Sequence, residues 1–253
     1  MRHVSKKYLE EIELPVDHNI DRSRITKVLE SADDIQCARK RICGLADELL
    51  RACFLDAFGD PRQVRNSDIT LADIAYIARG RFSPRPRNDP RFYGGNYPFI
   101  QTGEIANADG YMNEYRQTLN ERGIGVSKSF PSGTVFVAIV GATIGATAIS
   151  AREFWCPDSV IGIVPESEDY PAEFIEYMLR FWRPVFIDRA PETARANINL
   201  QTLRPVPIPL GGPDKAVQFA NLYRKLHKLK EDLNGLDDTL LASLSQRAFR
   251  GEL

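Results

Sequence analysis

Leu222-Tyr223-Arg224-Lys225-Leu226-His227-Lys228-Leu229-Lys230-Glu231-Asp232-Leu233 continues through Asn234-Gly235 to Leu236 and Leu240, so that leucine recurs at alternating steps of four and three. Two helices that wind around each other need an apolar side chain about every 3.5 residues to keep one stripe turned toward the partner. The stretch therefore predicts a long helix with a coiled-coil seam formed by Leu222, Leu226, Leu229, Leu233, Leu236 and Leu240. A strict seven-residue series near the other end, Val28, Ile35, Ile42 and Leu49, supplies the candidate partner. Asp21 or Ser23 caps that first helix, and Gly59-Asp60-Pro61 stops it after Phe58, a length of roughly 50 Å at about 1.5 Å per residue. Gly44 weakens it locally by roughly 1 kcal/mol relative to alanine.

Between the helices the period changes. Tyr97–Ile100, Thr134–Val140 and Ser159–Val164 are β-branched or aromatic runs bounded by Gly or Pro, and they predict strands. One helix is expected from Pro171 to Asp188, with Phe174, Tyr177, Met178 and Phe181 on a single face. Val206, Ile208 and Leu210 alternate with prolines, as in an edge strand or an extended exit segment. The fold class is mixed α/β (α+β), a β-rich domain flanked by two long helices that form an antiparallel coiled coil.

Composition narrows the function. With 43% hydrophobic and 26% charged residues the 253-residue chain is globular, and its formal net charge of -1 excludes a uniformly basic coat but not a local basic patch. Cys37, Cys43, Cys53 and Cys156 lack metal-ligand spacing, and His3, His18 and His227 add no cluster, so no metal is expected. Free thiols and the absence of a signal-like start or a bilayer-length apolar run point to the cytoplasm.

The densest chemistry is Arg79-Gly80-Arg81-Phe82-Ser83-Pro84-Arg85-Pro86-Arg87-Asn88-Asp89-Pro90-Arg91, five arginines against one acid on a backbone stiffened by three prolines. Arginine's planar fork pairs with phosphate or with the O6/N7 edge of guanine, and prolines reduce the entropy lost on docking. A generic arginine cluster is as often a solvated loop. Here the following Phe92-Tyr93-Gly94-Gly95-Asn96-Tyr97 favours a binding loop, with aromatics such as Tyr97 bracing a groove contact.

Gln101-Thr102-Gly103-Glu104 follows a strand, where Gln and Thr are suited to base edges, although polar residues there usually make only a turn. Gly141-Ala142-Thr143-Ile144-Gly145 lacks the Lys-Ser/Thr of a nucleotide loop and reads as a tight hairpin with Thr143 at its tip. Arg195-Ala196-Asn197 fits a turn and a contact equally well.

Catalytic patterns are incomplete. Asn88-Asp89-Pro90-Arg91-Phe92 lacks the second proline of an amino-methyltransferase motif, and Pro157-Asp158 with Glu166 and Glu168 lacks the lysine of a nuclease core. The chain is expected to be non-catalytic. The rival readings are part of a single-chain methyltransferase or nuclease, and a non-DNA scaffold whose coiled coil presents a protein-binding domain.

Several of these stretches together resemble the specificity subunit of type I restriction–modification enzymes. Leu49–Pro61 is similar to the helix end that leads into a target-recognition domain, and the arginine-proline loop through Gly103 resembles the opening of one class of such domains. Phe130–Val135 with Gly141–Gly145 resembles its central strands, Asn197–Leu200 with Pro205–Leu210 its exit, and Leu244–Leu253 the family's usual C-terminus.

The resemblance implies a non-catalytic reader of one half of a bipartite double-stranded DNA site. It implies docking of modification (methyltransferase) subunits that hold S-adenosylmethionine, with a restriction subunit that uses ATP. It divides the chain into an extension at 1–20, a long helix at 21–58, a target-recognition domain at 59–212 and a second long helix at 213–253. A full subunit carries two recognition domains; a half-length form with one would pair as a homodimer or with another specificity half. Arg79, Arg81, Ser83, Arg85, Arg87, Tyr97, Gln101, Thr102, Gly103, Thr143, Arg195 and Asn197 are the candidate DNA contacts.

Overall fold

The computed structural model describes residues 22–64, 67–188, 198–235, 243–244 and 246–247, so Arg195, Asn197, Leu236 and Leu240 lie outside the described residues. Two compact units are distinguished, Leu49–His227 and a smaller one made of Met1–Glu48 with Lys228–Leu253. In chain order the helices and strands are α1 (Arg22–Phe58), α2 (Leu71–Ile74), β1 (Ala75–Arg79), β2 (Tyr93–Phe99), α3 (Thr102–Asn107), β3 (Tyr111–Met112), β4 (Gln117–Leu119), α4 (Glu121–Val126), β5 (Lys128–Phe130), β6 (Val135–Ala138), β7 (Thr147–Ser150), β8 (Phe154–Cys156), β9 (Val160–Pro165), α5 (Ala172–Asp188), α6 (Leu200–Leu203) and α7 (Gly212–Gly235).

The strands of the larger unit form two sheets, one ordered β1-β9-β6-β7-β3 and the other β4-β2-β8-β5. In the first, only the β7–β3 pair is parallel; in the second, only β2–β8 is. β6 shows why its sequence is an unbroken apolar run, because both faces of its sheet are covered. Val135 and Val137 face the helices, in one core with Phe174, Met178 and Leu179 of α5. Phe136 and Ala138 belong to a second core with Phe130 and Phe154 of the other sheet. A Cβ at Gly162 of β9 would stand 2.5 Å from the Phe130 ring, so glycine is needed where the two sheets approach.

The helical core centres on Phe54. It is fully buried and touches the rings of Phe58, Phe174, Tyr177, Phe181 and Phe219 at centroid distances of 5.0 to 6.1 Å. Beside it, two buried carboxylates of α5 are satisfied by charge and hydroxyl donors. Glu176 accepts from Arg180 Nε at 2.8 Å, Thr147 Oγ1 at 2.7 Å and Tyr223 OH at 3.3 Å. Glu173 accepts from Arg224 Nε at 2.7 Å and Tyr111 OH at 2.5 Å. The extended exit segment is present as expected: the Ile208 amide donates to Ile69 O, and the Leu71 amide to Val206 O.

The two long helices run antiparallel. In the larger unit Lys215 Nζ donates to Ala57 O at 3.3 Å, and in the smaller unit Lys230 Nζ donates to Asp47 Oδ1 at 2.9 Å. The buried face of α1 differs from the expected one. Ala32 and Ala46 are buried and Leu29, Gln36 and Cys43 half-buried, a 3.5-residue repeat of mostly small or polar side chains.

Ile35, Ile42 and Leu49 remain 44%, 41% and 46% exposed, while Val28 is half-buried. Each of the three lies one residue ahead of the covered row, about 100° round the helix. Small residues let helix backbones come close and displace the larger aliphatics to the rim. On α7 the same shift occurs. Phe219, Tyr223 and Lys230 are buried, Leu222, Leu226 and Leu233 half-buried, and Leu229 is 41% exposed.

Candidate nucleic-acid interface

The arginine-proline loop leaves the end of β1 and returns into β2. Its root is fixed by backbone bonds, from the Gly80 amide to Val160 O at 2.9 Å and from the Arg81 amide to Cys156 O at 3.0 Å. A Cβ at Gly80 would strike the Pro157 carbonyl, so only glycine lets the two segments lie this close. Phe82, 2% exposed, then anchors the loop among Phe92, Tyr93 and Phe99, with ring centroids at 6.2, 5.8 and 5.2 Å. Burying such a ring stabilises by roughly 1.5–3 kcal/mol, whereas an exposed ion pair contributes about 0.2–1 kcal/mol. Phe82 therefore sets where the loop lies, and the ion pairs set how its guanidinium groups point.

Three of those groups, on Arg79, Arg85 and Arg87, converge on Asp158, between β8 and β9. Arg87 Nη2 meets Asp158 Oδ1 at 2.5 Å and Arg85 Nη2 faces Oδ2 at 3.8 Å. Arg79 Nε donates to the Asp158 backbone carbonyl. Arg81 Nη2 donates to Ser127 O at 3.0 Å, and Arg85 Nη1 turns inward to Phe82 O and Pro84 O. All four arginines and Ser83 are nonetheless exposed, and a guanidinium has five donors, so each keeps N–H groups toward solvent.

The loop closes on a single 3₁₀ turn, Pro90–Phe92, that Asp89 caps through the Arg91 amide and side chain. The same device, Asp60 with Arg62, caps the 3₁₀ turn Pro61–Gln63 that follows α1. Hydrogen bonds from the Arg91 side chain, then from its amide, hold the Asp89 carboxyl below the usual carboxylate range. Its folded value is depressed, so its contribution to stability is present above the ordinary carboxylate range and is lost as pH falls through the lowered value. A carboxyl-carbon NMR titration should place the Asp89 midpoint below that of a free aspartate. A midpoint at the ordinary value would show that the cap does not persist in solution.

Tyr97, in β2, sets its ring against Trp155 at 5.1 Å and donates its hydroxyl to Glu121 at 2.6 Å, a bond that raises the phenol's pKa. Gln101 is the N-cap residue of α3, where Glu104 accepts its amide, and its side chain donates to Gln117 Oε1 at 2.7 Å. Thr102 and Gly103 thus sit in the first turn of a short helix, not in a simple turn. Thr143 ends a 3₁₀ turn between the antiparallel strands β6 and β7, as a hairpin tip, and α3 packs against that turn. Nine of the ten described candidates form two groups, the four arginines with Ser83 on the loop, and Gln101, Thr102, Gly103 and Thr143 around α3, while Tyr97 stands apart in β2 against Trp155 and Glu121.

Asp158, Ser127, Asn120 and Gln117 complete these groups but were not among the candidate contacts. Asn120 Nδ2 donates to the Arg91 and Tyr93 carbonyls at 3.0 Å each and fastens the loop's return. No local spacing marks such residues, because each meets its partner across 16 to 71 positions. The opposite sign of Asp158 to the loop is the single signal that sequence offers.

A family model, the type I restriction modification DNA specificity domain, matches residues 64–232. Among solved structures, the chain is similar to the HsdS subunit from Thermoanaerobacter tengcongensis, with 16% identity and a TM-score of 0.57 over 91% of this chain and 57% of that one. A type I restriction–modification S subunit from M. genitalium gives 13% identity and a TM-score of 0.58 over 91% and 60%. A structure describing complex assembly and conformational transition of the type I R-M system gives 17% and 0.59 over 91% and 58%. At these identities the likeness is one of fold, and this chain spans 57 to 60% of the length of those structures. The family match covers well over half of the sequence and includes both sheets, the arginine loop and most of α7: this chain belongs to the type I restriction–modification DNA specificity family.

Proposed function

We propose that this chain reads one half of a bipartite double-stranded DNA site and contributes no catalysis of its own. Its long helices dock the modification subunits, which carry S-adenosylmethionine, and a restriction subunit uses ATP for cleavage. The observation that carries this reading is the exposed arginine loop, held rigidly on a domain of the specificity family. Phosphate contacts by arginine give affinity that falls with salt, and base contacts give specificity.

The test is duplex binding by the chain with its modification partner, at low and at raised salt. Binding that weakens with salt supports the reading, and no binding at low salt contradicts it in favour of a non-DNA scaffold. Arg85, exposed while its Nη1 braces the loop and its Nη2 stands 3.8 Å from Asp158, is expected to serve a phosphate. Arg85→Ala should weaken binding across all sequences and reduce the salt slope by about 1. An unchanged slope would remove Arg85 from the contact set.

The rim of α1 supports the choice of a second copy as the helices' outer partner. Ile35 and Ile42 keep coiled-coil spacing, and with Leu45 they stay 41 to 54% exposed. A two-fold pair would bury this stripe against itself. Ile42→Glu should then shift the sedimentation of the purified chain from dimer to monomer. A wild-type chain that is monomeric at tens of micromolar would rule the pairing out.

A further inference from the structure

Pro157-Asp158 belongs to no catalytic pattern, yet Asp158 is where Arg79, Arg85 and Arg87 of the loop meet. Its backbone is held between two bonds to the loop root, those to Cys156 O and Val160 O, so the carboxylate has a fixed place. Its two oxygens face different arginines, Oδ1 to Arg87 and Oδ2 to Arg85. The two are not equivalent. Arg85 spends Nη1 on the carbonyls of Phe82, Ser83 and Pro84, whereas Arg87 makes no other side-chain bond among the described residues. Arg87 thus keeps Nε and Nη1 and the second hydrogen of Nη2, and it is held by one end only. Tyr93 OH donates to the Arg87 carbonyl at 2.6 Å and fixes the backbone beneath it.

We propose that Asp158 is a positioning residue that aims Arg87 at a guanine of the DNA half-site, an inference that rests on the DNA-reading function proposed above. A bidentate contact to guanine O6 and N7 requires two coplanar N–H groups at a set angle. An unrestrained arginine loses rotamer freedom to reach that angle, and one already tied to a carboxylate has lost most of it beforehand. The same carboxylate decides between the two classes of target. Asp158, 2.5 Å from Arg87, offsets part of that guanidinium's attraction for a phosphate, whereas the guanine edge is uncharged and depends chiefly on the direction of the N–H groups. Arg85, farther from the carboxylate at 3.8 Å against 2.5 Å, then serves a phosphate, and Arg87 supplies base identity.

The experiment compares wild type, Asp158→Asn and Arg87→Lys, each as the full chain with its modification partner, first by mapping methylated sites in cells and then by duplex binding. Asparagine keeps the shape and the backbone carbonyl that holds Arg79, so the loop root is retained. Both variants should relax the same single G·C position, with discrimination there falling about tenfold. Binding of Asp158→Asn to an unrelated duplex should be unchanged or tighter, since a negative charge is removed.

An unchanged base preference in Asp158→Asn, or relaxation of different positions by the two variants, would overturn the proposal. Should Asp158→Asn fail to fold, Arg87→Lys, an exposed change, decides alone: loss of preference at one G·C position is expected, and its retention overturns the inference. A wild-type chain that binds no DNA would instead overturn the functional reading itself.

Discussion

Truncating Phe54 to alanine should lower the unfolding free energy by about 3–5 kcal/mol. The side chain is fully buried, and five aromatic rings from α1, α5 and α7 surround it. Those rings are themselves pinned, Phe58 on Phe174 and Tyr177 on Phe219, so they cannot collapse into the space left. A well-packed site that cannot relax carries the cavity cost on top of the lost transfer free energy. Chemical denaturation followed by far-ultraviolet circular dichroism measures the loss directly. A change below about 1 kcal/mol would mean that the cluster is looser than its geometry indicates.

Arg180→Ala should cost about 3 kcal/mol, the lower end for stranding a buried charge, since the Arg180 side chain is itself 37% exposed. The effect comes less from the lost attraction than from what is left behind. Glu176 is fully buried, and without Arg180 it keeps, among the described residues, only the Thr147 and Tyr223 hydroxyls. Two neutral donors do not replace a charged one that makes two bonds, at 2.8 and 3.0 Å. The double variant Glu176→Gln/Arg180→Ala should therefore be more stable than Arg180→Ala alone, because no buried charge remains unpaired. Equal or lower stability of the double variant would show that packing, not charge, accounts for the loss.

Elements with a strong local period were legible in the sequence. α1 ends at Phe58 where Gly59-Asp60-Pro61 predicts, α5 buries the stripe Phe174, Tyr177, Met178 and Phe181, and β6 and β9 are the apolar runs that read as strands. The short strands β3, β4, β5 and β8 were not legible. Two or three residues are too few for a period, and these strands exist because their neighbours offer free backbone groups.

Within one chain, the covered row of α1 lies one residue from the predicted one for a related reason. Counting large aliphatics selects Ile35 and Ile42, while close helix approach selects Ala32 and Ala46. In the candidate interface the arginine loop stood out by composition, but the partners that orient it did not. Asp158 lies 71 positions from Arg87 and joins it only through the pairing of β1 with β9. Gln117 reaches Gln101 only because β4 pairs with β2.

The proposed role, choosing a DNA sequence for a modification enzyme, can be read out by mapping methylated adenines in cells that carry this chain's gene with the modification partner. Methylation should be confined to one bipartite sequence, lost when the gene is deleted and altered at single base pairs by changes in the arginine loop. If the helices pair two copies of the chain, the two half-sites should be identical and inverted. Methylation whose sequence pattern is unchanged by deleting this gene would contradict the account.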